Sequence, residues 1–297
     1  MPPTIRTARK LMLGREIAHM MSTAGVSQAQ VAAMLETSQS RVAVLLNGGG
    51  SIAPGDLRML AANLGFTDER YLNALGELRR DNHRRGFWST GYNRAYTEDM
   101  RLRIDLERHA DQIRSADTEI MPGLLQCEPY IRAMYDEQPS VLEGLTLDER
   151  VRARVARQEI LDKPEPPLVH HVLSESCLRR QWAPAEVMCE QIEHLIKLSN
   201  RPKIMIQVMP FDMPPGRRSP IGTRFTLLRA PSPGVAGPVE LAYLEGEGEI
   251  RYLDDKKTLA AYDTAWTRLT TAALSFTESR TFMRRVRDDF RQLPADG

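Results

Sequence analysis

The sequence predicts an α+β chain in two parts, an N-terminal all-α domain of five helices and a larger mixed α/β domain after it. Three observations carry this. Up to about residue 82, apolar residues recur at three- and four-residue steps between helix caps. After a Pro-rich break at Lys163 to Pro167, short runs rich in Val and Ile interleave with helical ones. The length, 297 residues, is what two domains need. The boundaries read as 1–82 for the helical domain, 83–99 for a basic and aromatic hinge, and 100–290 for the second domain.

Residues 1–10, with Arg6, Arg9 and Lys10, read as a solvated leader in preference to an arm reaching phosphates. A first helix over Lys10 to Ala24 is marked by Leu13, Ile17, Met20 and Ala24, and Gly25 ends it. The stretch Ser27 to Gly48 then reads as two short helices joined by a three-residue turn. Ser27 and Gln30 make a capping box, Val31 and Leu35 share a face, and Ala32 is small enough for a close helix crossing. Glu36-Thr37-Ser38 breaks the run, and Ser38 caps the next helix. Val42, Leu45 and Leu46 are its buried stripe, and Asn47-Gly48 stops it. Gln39, Ser40, Arg41 and Val44 remain on the outer face. Gln pairs with an adenine edge, Arg with guanine or phosphate, and Val with a thymine methyl. Any small helical domain also shows capped helices with polar outer faces, so the pattern alone leaves both readings open. Gly48 to Gly50 offer free amides to a phosphate or serve as a connector. Pro54 opens a fourth helix with Leu57, Leu60, Ala61 and Leu64. A fifth, over Asp68 to Asp81, carries Tyr71, Leu72, Leu75 and Leu78.

Ser27-Gln28, Ala32, Leu35, Ser38-Gln39-Ser40, Val42 and Asn47-Gly48 resemble the helix-turn-helix of the phage-repressor-like (Cro/C1, or XRE) regulators. The resemblance implies that Gln28 and Asn47 touch phosphate and that Gln39, Ser40 and Val44 touch bases. With the cap Ser38 and with Arg41, the candidate DNA-contacting set is Gln28, Ser38, Gln39, Ser40, Arg41, Val44 and Asn47. The sequence departs from the family pattern at Glu36, where the turn usually has Gly, and at Leu46, where Glu is common.

Residues 79–96 mix basic residues with Phe87, Trp88, Tyr92 and Tyr96. Such a mix can stack on nucleic acid; the preferred reading is that the aromatics anchor the second domain. Beyond Thr97 a helix is expected with Leu102, Leu106, His109 and Ile113 in one stripe. The turn Met121 to Gln126 feeds a short helix with Tyr130 and Ile131. Thr146 and Glu149 cap a helix with Val151 and Val155, its arginines 150, 152, 154 and 157 mostly solvated. Leu168 to Leu173 reads as a strand, which sends His170 and His171 to opposite faces. A helix over Pro184 to Ser199, a half-buried strand over Lys203 to Met209, a strand over Arg224 to Arg229, and a hairpin of Glu240–Leu244 with Glu249–Leu253 follow. Two helices close the chain, one with Leu259, Tyr262, Trp266 and Leu269, the other capped by Ser275 and Glu278 with Phe282, Val286 and Phe290.

This half is similar to the C-terminal domain labelled DUF5753, found behind such helix-turn-helix motifs in regulators of filamentous, high-GC actinobacteria. The matching segments are Met121 to Gln126, Arg154 to Gln158, a strand ending in Leu178-Arg179-Arg180, Ile206 to Phe211, and Tyr252 to Asp255, within about residues 100–285. The resemblance implies a transcriptional regulator of development or secondary metabolism, often encoded beside a small partner protein, and carries over no effector residues.

Composition narrows the classes further. Residues 1–94 hold 12 Lys or Arg against 7 Asp or Glu; the remainder holds 28 against 32. A basic head on a mildly acidic body fits a DNA-binding domain joined to one that leaves DNA alone. No apolar run has the length of a membrane span and no secretory leader is evident. Three scattered cysteines, Cys127, Cys177 and Cys189, suit a reducing compartment. There is no phosphate loop or nucleophile elbow, and Cys177, Cys189 and His194 match no standard zinc spacing. The expectation is therefore a cytoplasmic homodimeric regulator of double-stranded DNA, not an enzyme, without cofactor or metal, whose second domain answers a small-molecule effector or a partner protein. The alternatives are an antitoxin-like interaction scaffold and a catalytic domain anchored to DNA.

Overall fold

The computed structural model describes residues 6–80, 92–136, 144–213, 216, 219–246 and 249–293. Phe87 and Trp88 of the basic-aromatic stretch lie outside them. Contacts divide the chain into two units. The first draws on Met1–Thr90, Thr97–Ala110 and Arg229–Val239, and the second on Gly91–Tyr96, Asp111–Leu228 and Glu240–Gly297.

In the first unit, Thr7 caps α1 (Ala8–Ala24), and Gly25 ends it in the left-handed conformation at φ 67°. The helices α2 (Gln28–Met34), α3 (Gln39–Leu46), α4 (Pro54–Asn63) and α5 (Glu69–Arg79) follow. Their core holds Ile17, Met20, Leu60 and Leu75, all closed to solvent, whereas Ala24, placed on the stripe by its spacing, is exposed. Arg6 is exposed and Arg9 half-buried, and both also reach carbonyls of the unit. Arg6 donates to the Asn47 carbonyl at 3.1 Å, and Arg9 to the last-turn carbonyls of α5 at Glu77 and Arg80, where a cation is favoured. A sixth helix, α6 (Glu98–His109), belongs to this unit; its Asp105 accepts from the Ala8 amide at 2.7 Å.

The residues between two later strands also fold into this unit, onto Glu16 of α1. The Glu16 carboxylate is fully buried. It accepts from the Tyr71 hydroxyl (3.0 Å), the Ser232 hydroxyl (2.9 Å) and the amides of Val235 (3.0 Å) and Ala236 (3.1 Å). A Cβ on Gly234 would lie 2.2 Å from the Glu16 carboxyl carbon, so any side chain there must displace the carboxylate. Burial, with the adjacent Glu16 charge, raises the Tyr71 hydroxyl above its usual range and keeps it a donor.

The second unit is built on β1 (Gln112–Asp117), β2 (Leu168–Ser174), β3 (Ile204–Met209), β4 (Phe225–Ala230), β5 (Val239–Gly246) and β6 (Glu249–Leu253), in the order β3-β2-β1-β4-β5-β6. β1, β2 and β3 are parallel, and β5 and β6 form an antiparallel hairpin. The helices are α7 (Glu128–Asp136), α8 (Leu147–Gln158), α9 (Glu175–Arg179), α10 (Ala185–Leu198), α11 (Lys256–Ala272) and α12 (Phe276–Arg291). Val172, Phe225, Leu227 and Ala242 meet Trp266 and Leu269 of α11 in the core. Tyr96 is buried and donates to the Ala153 carbonyl at 2.8 Å, the anchoring role expected of it.

Four expectations need correction. Ile113 does not continue a helical stripe; it lies in β1, and α6 ends at His109. The segment before Leu178-Arg179-Arg180 is helical, because Ser174 ends β2 and caps α9. β3 is almost wholly buried, because α12 packs on it and Gln207 satisfies the carbonyls of Thr270 and Leu274. Arg157 is buried, not solvated: α8 lies against the Met121–Gln126 turn, where Gln158 donates to the carbonyls of Gly123 and Gln126 at 2.8 and 2.7 Å. The turn motif and the α8 motif are therefore two halves of one clasp. Among the described residues no helix is long and apolar enough to cross a membrane.

Candidate nucleic-acid interface

The candidate interface is α2, its turn and α3. Ser27 and Gln30 satisfy each other's backbone amides in the expected capping box. The turn is held by the Thr37 amide on the Ala32 carbonyl at 2.9 Å. Glu36 takes the left-handed conformation at φ 49°, so the position that usually holds Gly keeps Gly geometry and carries its cost. The Ser38 hydroxyl accepts from the Arg41 amide at 3.2 Å and starts α3.

α3 is seated by Val42 and Leu45, both buried, while Leu46 is half-buried. A residue outside the sequence motif fixes its depth. A Cβ on Gly14 of α1 would meet the Leu46 carbonyl oxygen at 2.3 Å, so α1 and α3 meet backbone to backbone. A glycine inside a helix costs about 1 kcal/mol against alanine, and that local misfit is the signal that marks Gly14. Two of the three amides in the glycine run after α3 are engaged. Gly48 (φ 71°) and Gly49 give their amides to the carbonyls of Leu45 and Val44, closing the helix, and Gly48 passes against Leu11 where a Cβ would meet backbone at 2.9 Å.

With α3 so placed, Ser38, Gln39, Ser40, Arg41, Val44 and Asn47 are exposed and Gln28 is half-buried. Val44 is 46% exposed, an apolar side chain left facing outward among polar ones. Asn47 bonds back to the Ala43 carbonyl at 3.0 Å and receives Arg6 on its own carbonyl. The seven candidates therefore lie on the two helices and the turn, with six of them on α3 or its caps. Among the described residues no group of three His, Cys, Asp or Glu side chains is gathered to hold a metal ion.

Comparison with known families agrees with this geometry. A family model described as a helix-turn-helix domain matches residues 12–72, and one described as a domain of unknown function, DUF5753, matches residues 100–285. The second covers more than half of the chain, which therefore belongs to the DUF5753 family. No curated protein and no solved structure matches it.

Proposed function

We propose that this DUF5753 family member is a sequence-specific transcriptional regulator, not an enzyme, that reads the DNA major groove with α3. The observation that carries the reading is the exposed face of a capped α3, where Gln39, Ser40, Arg41 and Val44 present base- and phosphate-contacting chemistry opposite the buried Val42 and Leu45. One short helix reads few base pairs, so two copies act together as a homodimer on half-sites about one helical turn apart. The second unit modulates binding through a small molecule or a partner protein.

Gel-shift binding to the DNA upstream of the chain's own gene, against random competitor, tests this. Gln39→Ala is expected to weaken the specific site by about 1–3 kcal/mol with little effect on random DNA. Equal losses on both would refute base reading by Gln39. Arg41→Ala is expected to lower the salt slope by about one if its partner is a phosphate.

A further inference from the structure

A cavity of about 460 Å³ opens at the carboxyl ends of the three parallel strands, lined by Glu119 just after β1, Ser174 at the end of β2 and Met209 to Phe211 at the end of β3. Its far wall is Met213 and Ser219 to Ile221, the segment that leads into β4. The strand order reverses here: β2 and β3 lie to one side of β1 and β4 to the other. Open α/β sheets bind ligands at such a place, and the volume suits a small molecule.

Two further observations point to a ligand. Asp117, the last residue of β1 and the neighbour in sequence of the lining residue Thr118, is completely buried; it bonds His171 Nδ1 at 3.0 Å and Arg224 Nε at 3.2 Å, and His171 Nε2 has no partner among the described residues. A buried ionic cluster gains little as a stabiliser, and such clusters gather beside sites that work. Ser219, on the wall itself, also holds a buried hydroxyl without a partner among the described residues.

The wall chemistry sets the ligand class. Met209, Met213 and Ile221 give an adaptable apolar surface, and Phe211 stands 67% exposed at the rim. Among the described residues the cations nearby are engaged, Arg180 with Glu119 and Arg224 with Asp117, while Glu119 disfavours an anion. We infer that this cavity is the effector site of the chain and takes an uncharged, mainly apolar ring compound whose hydroxyl or carbonyl oxygen bonds to Ser219. The inference rests on the regulatory reading above for its purpose, but not for its test, which contains no DNA.

The test is calorimetric titration of the full chain with naphthalene and with 1-naphthol. Both are expected to bind saturably, one per chain, with 1-naphthol tighter by about 3- to 10-fold, the worth of one hydrogen bond. Ser219→Ala should erase that preference and leave naphthalene binding intact. Ile221→Trp should block both ligands. In the unmutated protein, ring-current shifts of the Met209 and Met213 methyl resonances should report occupancy even if that variant fails to fold. Absence of saturable binding, a preference that survives Ser219→Ala, or unmoved Met209 and Met213 signals would overturn the assignment.

Discussion

Glu16 offers the sharpest test of how the first unit is held together. Replacing it with alanine removes the acceptor of four groups at once: the hydroxyls of Tyr71 and Ser232 and the amides of Val235 and Ala236. The site is closed to bulk solvent, since Glu16 is 0% exposed. A serine hydroxyl can rotate to another acceptor, but the two amides and the tyrosine stay where the backbone puts them. Leaving a buried donor unsatisfied costs about 1–3 kcal/mol, so three of them set a loss of about 3–5 kcal/mol once relaxation is allowed. Glu16→Gln should cost less, about 2 kcal/mol, because its amide can face Ser232 while its carbonyl keeps the other donors. Hydrogen exchange reads the effect at the site: protection of the Val235 and Ala236 amides should fall at least a hundredfold in Glu16→Ala, as about 3 kcal/mol requires. Gly234→Ala should give the same local opening with Glu16 intact, because its Cβ would stand 2.2 Å from the carboxyl carbon. Unchanged protection in both variants would refute the claim that this carboxylate fastens residues 232–236 to α1.

Three more perturbations follow. Gly14→Ala forces a methyl against the backbone of α3 at Leu46; it should destabilise the unit by about 1–3 kcal/mol and abolish specific gel-shift binding while circular dichroism keeps its helical signal. Glu36→Gly relieves a left-handed residue at φ 49° and should raise the melting free energy by up to about 1 kcal/mol. His170 is held neutral: burial, opposed by its bond to Gln207 and aided by His171 and Arg114, lowers its pKa from 6.5 to about 4. Since the unfolded chain takes up this proton first as pH falls, stability is complete above about pH 6.5 and is lost toward pH 4, by about 2 kcal/mol at pH 5. Urea unfolding followed by tryptophan fluorescence should show that slope in the wild type and a reduced one in His170→Gln.

The helical half was legible because its signals are local. Caps at Ser27, Ser38 and Asp68, the Pro54 start and the Gly25 stop each lie within a few residues of what they control, and they place α1 to α5 closely. The sheet was legible only in part. β1 reads QIRSAD, too polar to pass for a strand. It lies inside the sheet because Ser115 meets the Thr226 hydroxyl at 3.2 Å and Asp117 meets His171, partners more than 50 residues away in sequence. β3 misled in the same way, since the Val208 amide is satisfied by Ser279 of α12 and no period in the strand announces that helix. Residues 231–238 carry no local signal of their fastening, because the carboxylate that receives them lies on α1, more than 200 residues away in sequence.

Glu16 itself did leave a trace, a charged residue at helical spacing among Leu13, Ile17 and Met20, where an apolar one belongs. Gly14, two positions earlier, is a second departure on the same helix. Neither helps α1 as a helix: the glycine costs propensity and the carboxylate must be given four donors before it can be buried. Both are explained by what α1 touches. Gly14 lets the backbone of the proposed reading helix sit directly on α1, and Glu16 receives residues 232 to 236, whose ends continue into β4 and β5. A sequence departs from its local rules where the site asks it to, and here two departures within three residues fall on the one helix that seats α3 and holds the strand connection. Composition at these two positions is therefore set by what α1 touches, α3 at Gly14 and residues 232–236 at Glu16, and not by the stability of α1 as a helix.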